Sequence, residues 1–345
     1  MNNIFVSIII PCRNEEKFIG ECFNSILEQD YPKESLEILV ADGMSTDKTR
    51  DILKTYANKY SFIHWFENPK KFVPEALNIM ISLAKGEVII RMDAHNEYPK
   101  NYISKCIQYL YEYKVDNIGG IWLTLPGAET IIAKAIALAL SSGFGVGNAL
   151  FRIGVKEPTY VDTVPFGCYR KEVFNKIGLF DEDLIRNQDD EFNARLIKNG
   201  GKILLAPDII SCYYARETYG KLWRMYYQYG YFKPLVATKI KSIFTLRQLI
   251  PVILVGSLII LSLAEFFSKY IFLLFLIEVI TYIVANFIFS FLLAIKNGLM
   301  LLQSLMVSFM VLHFSYGIGY LKGILDFGVI KKHLKNKIKD IPITR

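Results

Sequence analysis

The sequence comprises 345 residues, 52% of them apolar, with a formal net charge of +7. That length suits one large domain with an appendage, and the apolar content, concentrated in the last third, is high for a soluble enzyme. No basic motif for reading nucleic acid is present and the basic tail Lys331, Lys332, Lys335, Lys337 and Lys339 adjoins apolar runs, so the expected partners are membrane lipids with anionic headgroups, not nucleic acid.

The chain opens on Phe5 to Ile10, a β-branched run ended by Pro11 that suits a parallel strand buried on both faces. No secretory leader is expected before it. Glu15 to Glu28 has helical apolar spacing, Leu36 to Ala41 reads as a strand ending on Asp42-Gly43, and Asp47 is expected to cap a helix toward Lys59. A strand at Phe62 to Phe66, a helix at Pro74 to Ala84, a strand at Glu87 to Met92 and a helix at Pro99 to Tyr113 follow. This alternation predicts an α/β fold with an open, mostly parallel sheet and flanking helices. Cys12, Cys22, Cys106, Cys168 and Cys212 are scattered without a C-x-x-C pair, which argues against disulfides or structural zinc and for a reducing compartment.

After Gly119 the rhythm breaks. Ile131 to Leu140 is apolar but too short to span a bilayer, and 131–150 is expected to graze the membrane or, alternatively, to be buried. Leu179 to Asn199 holds a turn and a helix, and Tyr219 to Lys233 an aromatic-rich helix. Leu249–Phe267, Ile271–Ile295 and Leu299–Leu321 then approach or exceed the roughly 20 residues of a membrane span. Glu265, Glu278 and His313 are their few ionisable groups, and Gly317, Gly319 and Gly323 permit close helix contact. Basic residues flank the runs at both ends, placing both ends in the cytosol, whereas three full crossings would separate them. The expected domains are 1–235 catalytic and cytosolic, 236–330 membrane-embedded, and 331–345 a basic cytosolic tail.

The chemistry concentrates at strand ends and loop starts. Asn14-Glu15 follows the first strand, Asp42 the second, Asp93-Ala94-His95 the fourth, and Asp189-Asp190-Glu191 opens a helix. Asp93 and His95, at i and i+2, point to one side of an extended chain, where they could share a metal ion. In an open α/β sheet such strand-end groups converge on one crevice.

Pro11-Cys12-Arg13-Asn14-Glu15, Ala41-Asp42-Gly43-Met44-Ser45-Thr46-Asp47, Asp93-Ala94-His95 and Asp189-Asp190, in that order, resemble family 2 glycosyltransferases of the GT-A fold over roughly residues 4 to 235. Asp-Ala-His, Ser142 to Asn148 and His313 to Gly319 are similar to membrane-attached glucosyltransferases of succinoglycan-type exopolysaccharide synthesis. The resemblance implies a nucleotide-sugar donor, a UDP-sugar, and a lipid-linked (polyprenyl diphosphate) acceptor. It implies that Asp42 binds the base or ribose, and that Asp93 and His95 hold a divalent cation, Mn²⁺ or Mg²⁺. Asp189 would be the general base of an inverting displacement, Asp190 or Glu191 would orient the acceptor, and Asn14 and Glu15 would line the donor site. Gln228-Tyr229-Gly230-Tyr231-Phe232 stands where processive synthases carry Gln-x-x-Arg-Trp, so Gln228 is a substrate-binding candidate and addition of one sugar is expected.

Plainer roles stand beside these. Asp47 is expected to be a helix cap, Asp190 to interact with a helix dipole, and Trp223, Tyr226, Tyr227 and Tyr231 to pack at the core or membrane interface. The competing functions are a polyprenyl-phosphate sugar transferase and an inactive nucleotide-sugar-binding scaffold, the latter motivated by His95 and Gln188 standing where relatives carry acids.

Overall fold

Residues 4–241 and 246–329 are described by a computed structural model; the basic tail expected at 331–345 lies outside them. In chain order the elements are β1 (Val6–Cys12), α1 (Ile19–Leu27), β2 (Leu36–Asp42), α2 (Thr49–Lys59), β3 (Ile63–Glu67), α3 (Val73–Leu83), β4 (Val88–Arg91), α4 (Tyr102–Glu112) and β5 (Asn117–Leu125). Then come α5 (Ile131–Leu140), α6 (Gly143–Val146), α7 (Leu150–Ile153), β6 (Thr159–Tyr160), β7 (Cys168–Arg170), α8 (Lys171–Ile177), α9 (Gln188–Lys198) and β8 (Ile203–Tyr214). The chain continues through α10 (Tyr219–Ile240), α11 (Ile250–Ala264), α12 (Lys269–Asn297) and α13 (Leu302–Gly323). Two compact units divide it: one runs up to Leu123 and from Gly154 to Tyr213, the other from Thr124 to Ile153 and from Tyr214 onward.

In the first unit the strands form one sheet in the order β3-β2-β1-β4-β7-β5-β8-β6. β2, β1 and β4 run parallel, with Cys12 opposite Asp42 and Ile9 opposite Arg91, and β3 joins β2 in the same sense. β7 then pairs antiparallel with β4 and β5. The expected mostly parallel α/β sheet is therefore present, with an antiparallel extension. All seven residues of β2 are buried, as a parallel strand covered on both faces requires. The core joins Ile8, Ile10, Ile38 and Ile90 of the sheet to Phe23, Leu53, Ile103 and Leu110 of the helices.

β5 and β8 were not expected. Gly119 and Gly120 break the apolar run of β5, but they mark close packing: a Cβ at Gly120 would lie 1.8 Å from the Ile209 carbonyl oxygen. Pro207 and Asp208 likewise interrupt β8 without ending it.

In the second unit three helical segments, Ile250–Phe267, Lys269–Asn297 and Leu299–Gly328, are long and apolar enough to cross a membrane. The small residues of α13 set its packing. A Cβ at Gly319 would lie 2.2 Å from the Tyr227 carbonyl oxygen and one at Gly323 2.3 Å from that of Tyr231, both on α10. Gly230 of α10 meets Tyr316 of α13 in the same way, at 2.1 Å, and Gly317 meets Pro251 of α11 at 2.5 Å. Buried Asn286 of α12 donates to the Met306 carbonyl at 3.1 Å, and Ser257 of α11 hydrogen-bonds Glu278 of α12. His313 Nε2 lies 2.8 Å from the Phe144 carbonyl oxygen, so it must carry the proton, and Nδ1 accepts from the Tyr282 hydroxyl at 3.0 Å. α5 is capped by Thr130, whose hydroxyl accepts the Ala133 N–H at 3.1 Å. Its Ala135 packs with Ala294, Leu301 and Leu305, while Ile131 and Ile132 stay exposed.

Candidate active site

Strand order reverses at β1, which lies between β2 and β4. Loops leaving the carboxyl ends of adjacent parallel strands at such a point border a crevice, the usual ligand position of an open α/β sheet. The loop after β1 carries Asn14 and Glu15, the loop after β2 begins at Asp42, and the turn after β4 carries Asp93 and His95. Hydrogen bonds interlock them. Asn14 N–H donates to Ser45 Oγ at 2.8 Å, Thr46 N–H to Asn14 Oδ1 at 2.9 Å, and Glu15 N–H to Thr49 Oγ1 at 2.8 Å. Glu15 Oε1 lies 3.5 Å from His95 Nδ1. Asn14, Met44 and Asn187 each adopt left-handed backbone, with φ of 55°, 59° and 62°, so strain of about 1–3 kcal/mol per residue gathers in the loops bearing these groups.

Asp42 is fully buried. Its carboxylate accepts the Ser45 N–H at 3.1 Å, the Ser45 hydroxyl, and Arg50 Nε at 2.6 Å. Asp47 accepts the Thr49 N–H at 3.0 Å, but from one residue before the N-cap position of α2, which Lys48 occupies, so it braces the helix start without being its cap. Burial works against its charge, yet hydrogen bonds from Thr49 and Glu16 hold the carboxyl below the usual range.

Asp93 and Asp189, distant in sequence, meet through one side chain. Arg91, the last residue of β4, is 8% exposed. Its Nη1 lies 2.6 and 2.7 Å from the two oxygens of Asp189, and its Nε 3.1 Å from Asp93 Oδ1. Burial pushes the Asp189 carboxyl above the ordinary range, with the Arg91 guanidinium pulling the other way. The acidic turn is fastened from behind, where Asp93 N–H meets the buried Tyr98 hydroxyl at 2.7 Å.

The remaining candidates take different places. Asp190 is half-buried beside Asp189 in the first turn of α9. Glu191 is buried and gripped by Arg195, with Nε and Nη2 both 2.8 Å from its oxygens, while Arg195 also donates to the Leu179 carbonyl. Gln228 is buried on α10, in the second unit, among Tyr226, Tyr231 and Phe232, which are buried too.

Sequence reasoning passed over Arg91, Arg50 and Tyr98. Arg91 had a legible signal: a guanidinium inside a run of buried strand must find a carboxylate, and it shares a strand face with Asp93 two residues on. Arg50 and Tyr98 carried none, since each acts through a turn whose shape the sequence does not state.

Among the described residues no three His, Cys, Asp or Glu side chains cluster as a metal cage. The donor set fits a cation shared with substrate: hard divalent ions are commonly held by one or two carboxylates plus substrate phosphates. Asp93 and His95 could supply the protein side of such a shell, with Glu15 beside His95.

A family model described as Glycosyl transferase family 2 matches residues 7–178. The chain is 35% identical over 243 residues to a dolichyl N-acetyl-α-D-glucosaminyl phosphate 3-β-D-2,3-diacetamido-2,3-dideoxy-β-D-glucuronosyltransferase of Methanococcus voltae, covering 68% of this chain and 74% of the relative. It is 29% identical over 246 residues to the succinoglycan biosynthesis protein ExoA of Rhizobium meliloti, covering 71% and 73%. In fold it is similar to the mannosyltransferase PcManGT of Pyrobaculum calidifontis, solved with GDP-Man and Mn²⁺, with a TM-score of 0.61 at 16% identity over 94% of this chain and 88% of that one.

Proposed function

The chain belongs to glycosyltransferase family 2, and from that premise we propose that it is a membrane-attached, inverting glycosyltransferase. It moves a sugar from a UDP-sugar to a lipid-linked acceptor in the synthesis of a cell-surface polysaccharide. The observation that carries this reading is Arg91 holding Asp93 and Asp189 together at the strand-order reversal, beside the interlocked loops of Asn14, Glu15 and Asp42. A lipid-linked acceptor is supported by the dolichyl phosphate in the name of the M. voltae relative and by the three apolar helices. A role in polysaccharide synthesis is supported by the likeness to the succinoglycan protein. The reading divides the chain into a cytosolic catalytic domain (1–235), a membrane domain (236–330) and a basic tail (331–345).

In the proposed reaction Asp42 and its partner Arg50 shape the nucleoside end of the crevice, with Asn14 and Glu15 at its wall. Asp93 and His95 would hold Mn²⁺ or Mg²⁺, which when bound would supply neutralisation of charge on the diphosphate leaving group. Asp189, an ionised carboxylate held by Arg91, accepts the proton of the acceptor hydroxyl as its oxygen attacks the anomeric carbon. One carboxylate base and one displacement give inversion. Asp190 is the neighbour placed to orient the acceptor.

The test is transfer by the full chain in membranes or detergent, supplied with UDP-sugars, Mn²⁺ and a lipid extract, with products identified by mass spectrometry. Transfer to a glycosylated lipid is expected. A product on bare polyprenyl phosphate would favour the polyprenyl-phosphate sugar transferase instead. Binding of UDP and Mn²⁺ without any transfer would favour the inactive scaffold.

A further inference from the structure

We propose that Arg91 is a positioning residue that fixes the separation between the cation-side carboxylate and the general base. This inference rests on the reading of Asp93 and Asp189 given above and deepens it.

The geometry is that of a bridge. Arg91 offers its Nε edge to Asp93 at 3.1 Å and its Nη1 to both oxygens of Asp189 at 2.6 and 2.7 Å. A planar guanidinium holds its donors in a rigid fork, so two carboxylates bound to it are set at a fixed spacing. A single Nη1 shared by both oxygens of Asp189 engages one lone pair on each. A carboxylate has about four such sites, so others stay open for an acceptor hydroxyl. On Asp93 only Oδ1 faces Nε, and Oδ2 stays available to a cation. Arg91 thus orients both groups without occupying either.

Its own placement is determined from behind. The Arg91 N–H donates to the Gly167 carbonyl at 3.1 Å, which pins the end of β4 against the approach to β7. The side chain is buried, and a buried guanidinium persists only with anionic partners. Those partners here are the two carboxylates that the proposed reaction uses.

α9 does not depend on this bridge for its register. Asn193, one turn beyond Asp189, donates to Thr163 Oγ1 at 2.9 Å and accepts from Asn117 Nδ2 at 3.0 Å. Glu191 and Arg195 bind the same helix to the Leu179 carbonyl. Replacing Arg91 therefore releases the Asp189 side chain while the helix that bears it stays in place. In a single displacement, base and leaving group must be held at once, and misplacing a group by about 1 Å can cost on the order of 100-fold in rate.

The experiment compares Arg91→Gln, Arg91→Lys and Asp189→Asn with the parent chain. Steady-state transfer is measured alongside calorimetric binding of UDP with Mn²⁺. Arg91→Gln is expected to lower kcat on the order of 100-fold, with the loss of UDP–Mn²⁺ affinity from the released Asp93 side chain several-fold smaller than the fall in kcat, since Asp189 acts only in the transition state. Arg91→Lys restores the charge but not the fork, and is expected to recover about a tenth of the parent kcat. Should Arg91→Gln fail to fold, Arg91→Lys decides the matter. Full kcat in Arg91→Lys, or a fall in UDP–Mn²⁺ affinity matching the fall in kcat, would overturn the positioning role. If Asp189→Asn keeps full activity, the base assignment fails. If Asp189→Asn is inactive while Arg91→Lys is unimpaired, only the present inference fails.

Discussion

Asp42 and Arg50 close the turn between β2 and α2: Arg50 Nε lies 2.6 Å from an Asp42 oxygen that solvent does not reach. The carboxylate is therefore held at a fixed angle before any ligand arrives. Replacing it with the isosteric amide keeps the shape and weakens the charge-assisted bonds. Asp42→Asn is expected to lose about 10- to 100-fold in affinity for UDP, the equivalent of about 1.5–3 kcal/mol, with kcat little changed. Calorimetry with UDP and the KM for the donor sugar check this.

Asp189→Asn is expected to lower transfer by about 10²- to 10⁴-fold, the usual contribution of a general base, while UDP binding persists. The pH profile carries a sign. Burial raises the Asp189 carboxyl above the ordinary range, and transfer requires the ionised form. Activity should therefore fall as pH drops through a value above the roughly 3.9 of a free aspartate. An acid limb at or below that value in kcat/KM would show that the Arg91 guanidinium outweighs burial at this carboxyl.

Chelation with EDTA should reduce transfer to background, and added Mn²⁺ should restore it. An imidazole beside a carboxylate favours Mn²⁺ over Mg²⁺, whereas two carboxylates suit Mg²⁺. His95→Asp should accordingly raise the ratio of Mg²⁺-supported to Mn²⁺-supported activity. An unchanged ratio would remove His95 from the cation shell.

Gly319 tests the second unit. A methyl group there would meet the Tyr227 carbonyl oxygen at 2.2 Å, and backbone cannot yield as a flexible side chain does. Gly319→Ala is expected to cost about 1–3 kcal/mol of stability, seen as earlier melting in detergent. Gly256, with nothing within 4 Å of its Cβ position, should accept the same change.

What the sequence disclosed follows from how local each signal is. The parallel strands β1, β2 and β4 were readable because burial on both faces writes continuous apolar runs. The acidic groups at their ends were readable because strand ends are where an open sheet exposes chemistry. β5 was missed because Gly119 and Gly120 mimic a break, when their small size answers a neighbouring backbone that the sequence does not reveal. β7, with three residues, is too short to show any periodicity. The pairing of Asp93 with Asp189 through Arg91 joins positions about a hundred residues apart, and only the fold brings them together.

The glycines of α13 have one more consequence. Gly319 and Gly323 are four residues apart, as are the Tyr227 and Tyr231 carbonyls that they face. Both notches must be vacated together, so the two rods cannot creep past each other by fractions of a turn. α10 and α13 are therefore held in one register by a pair of backbone contacts that admit no side chain between them.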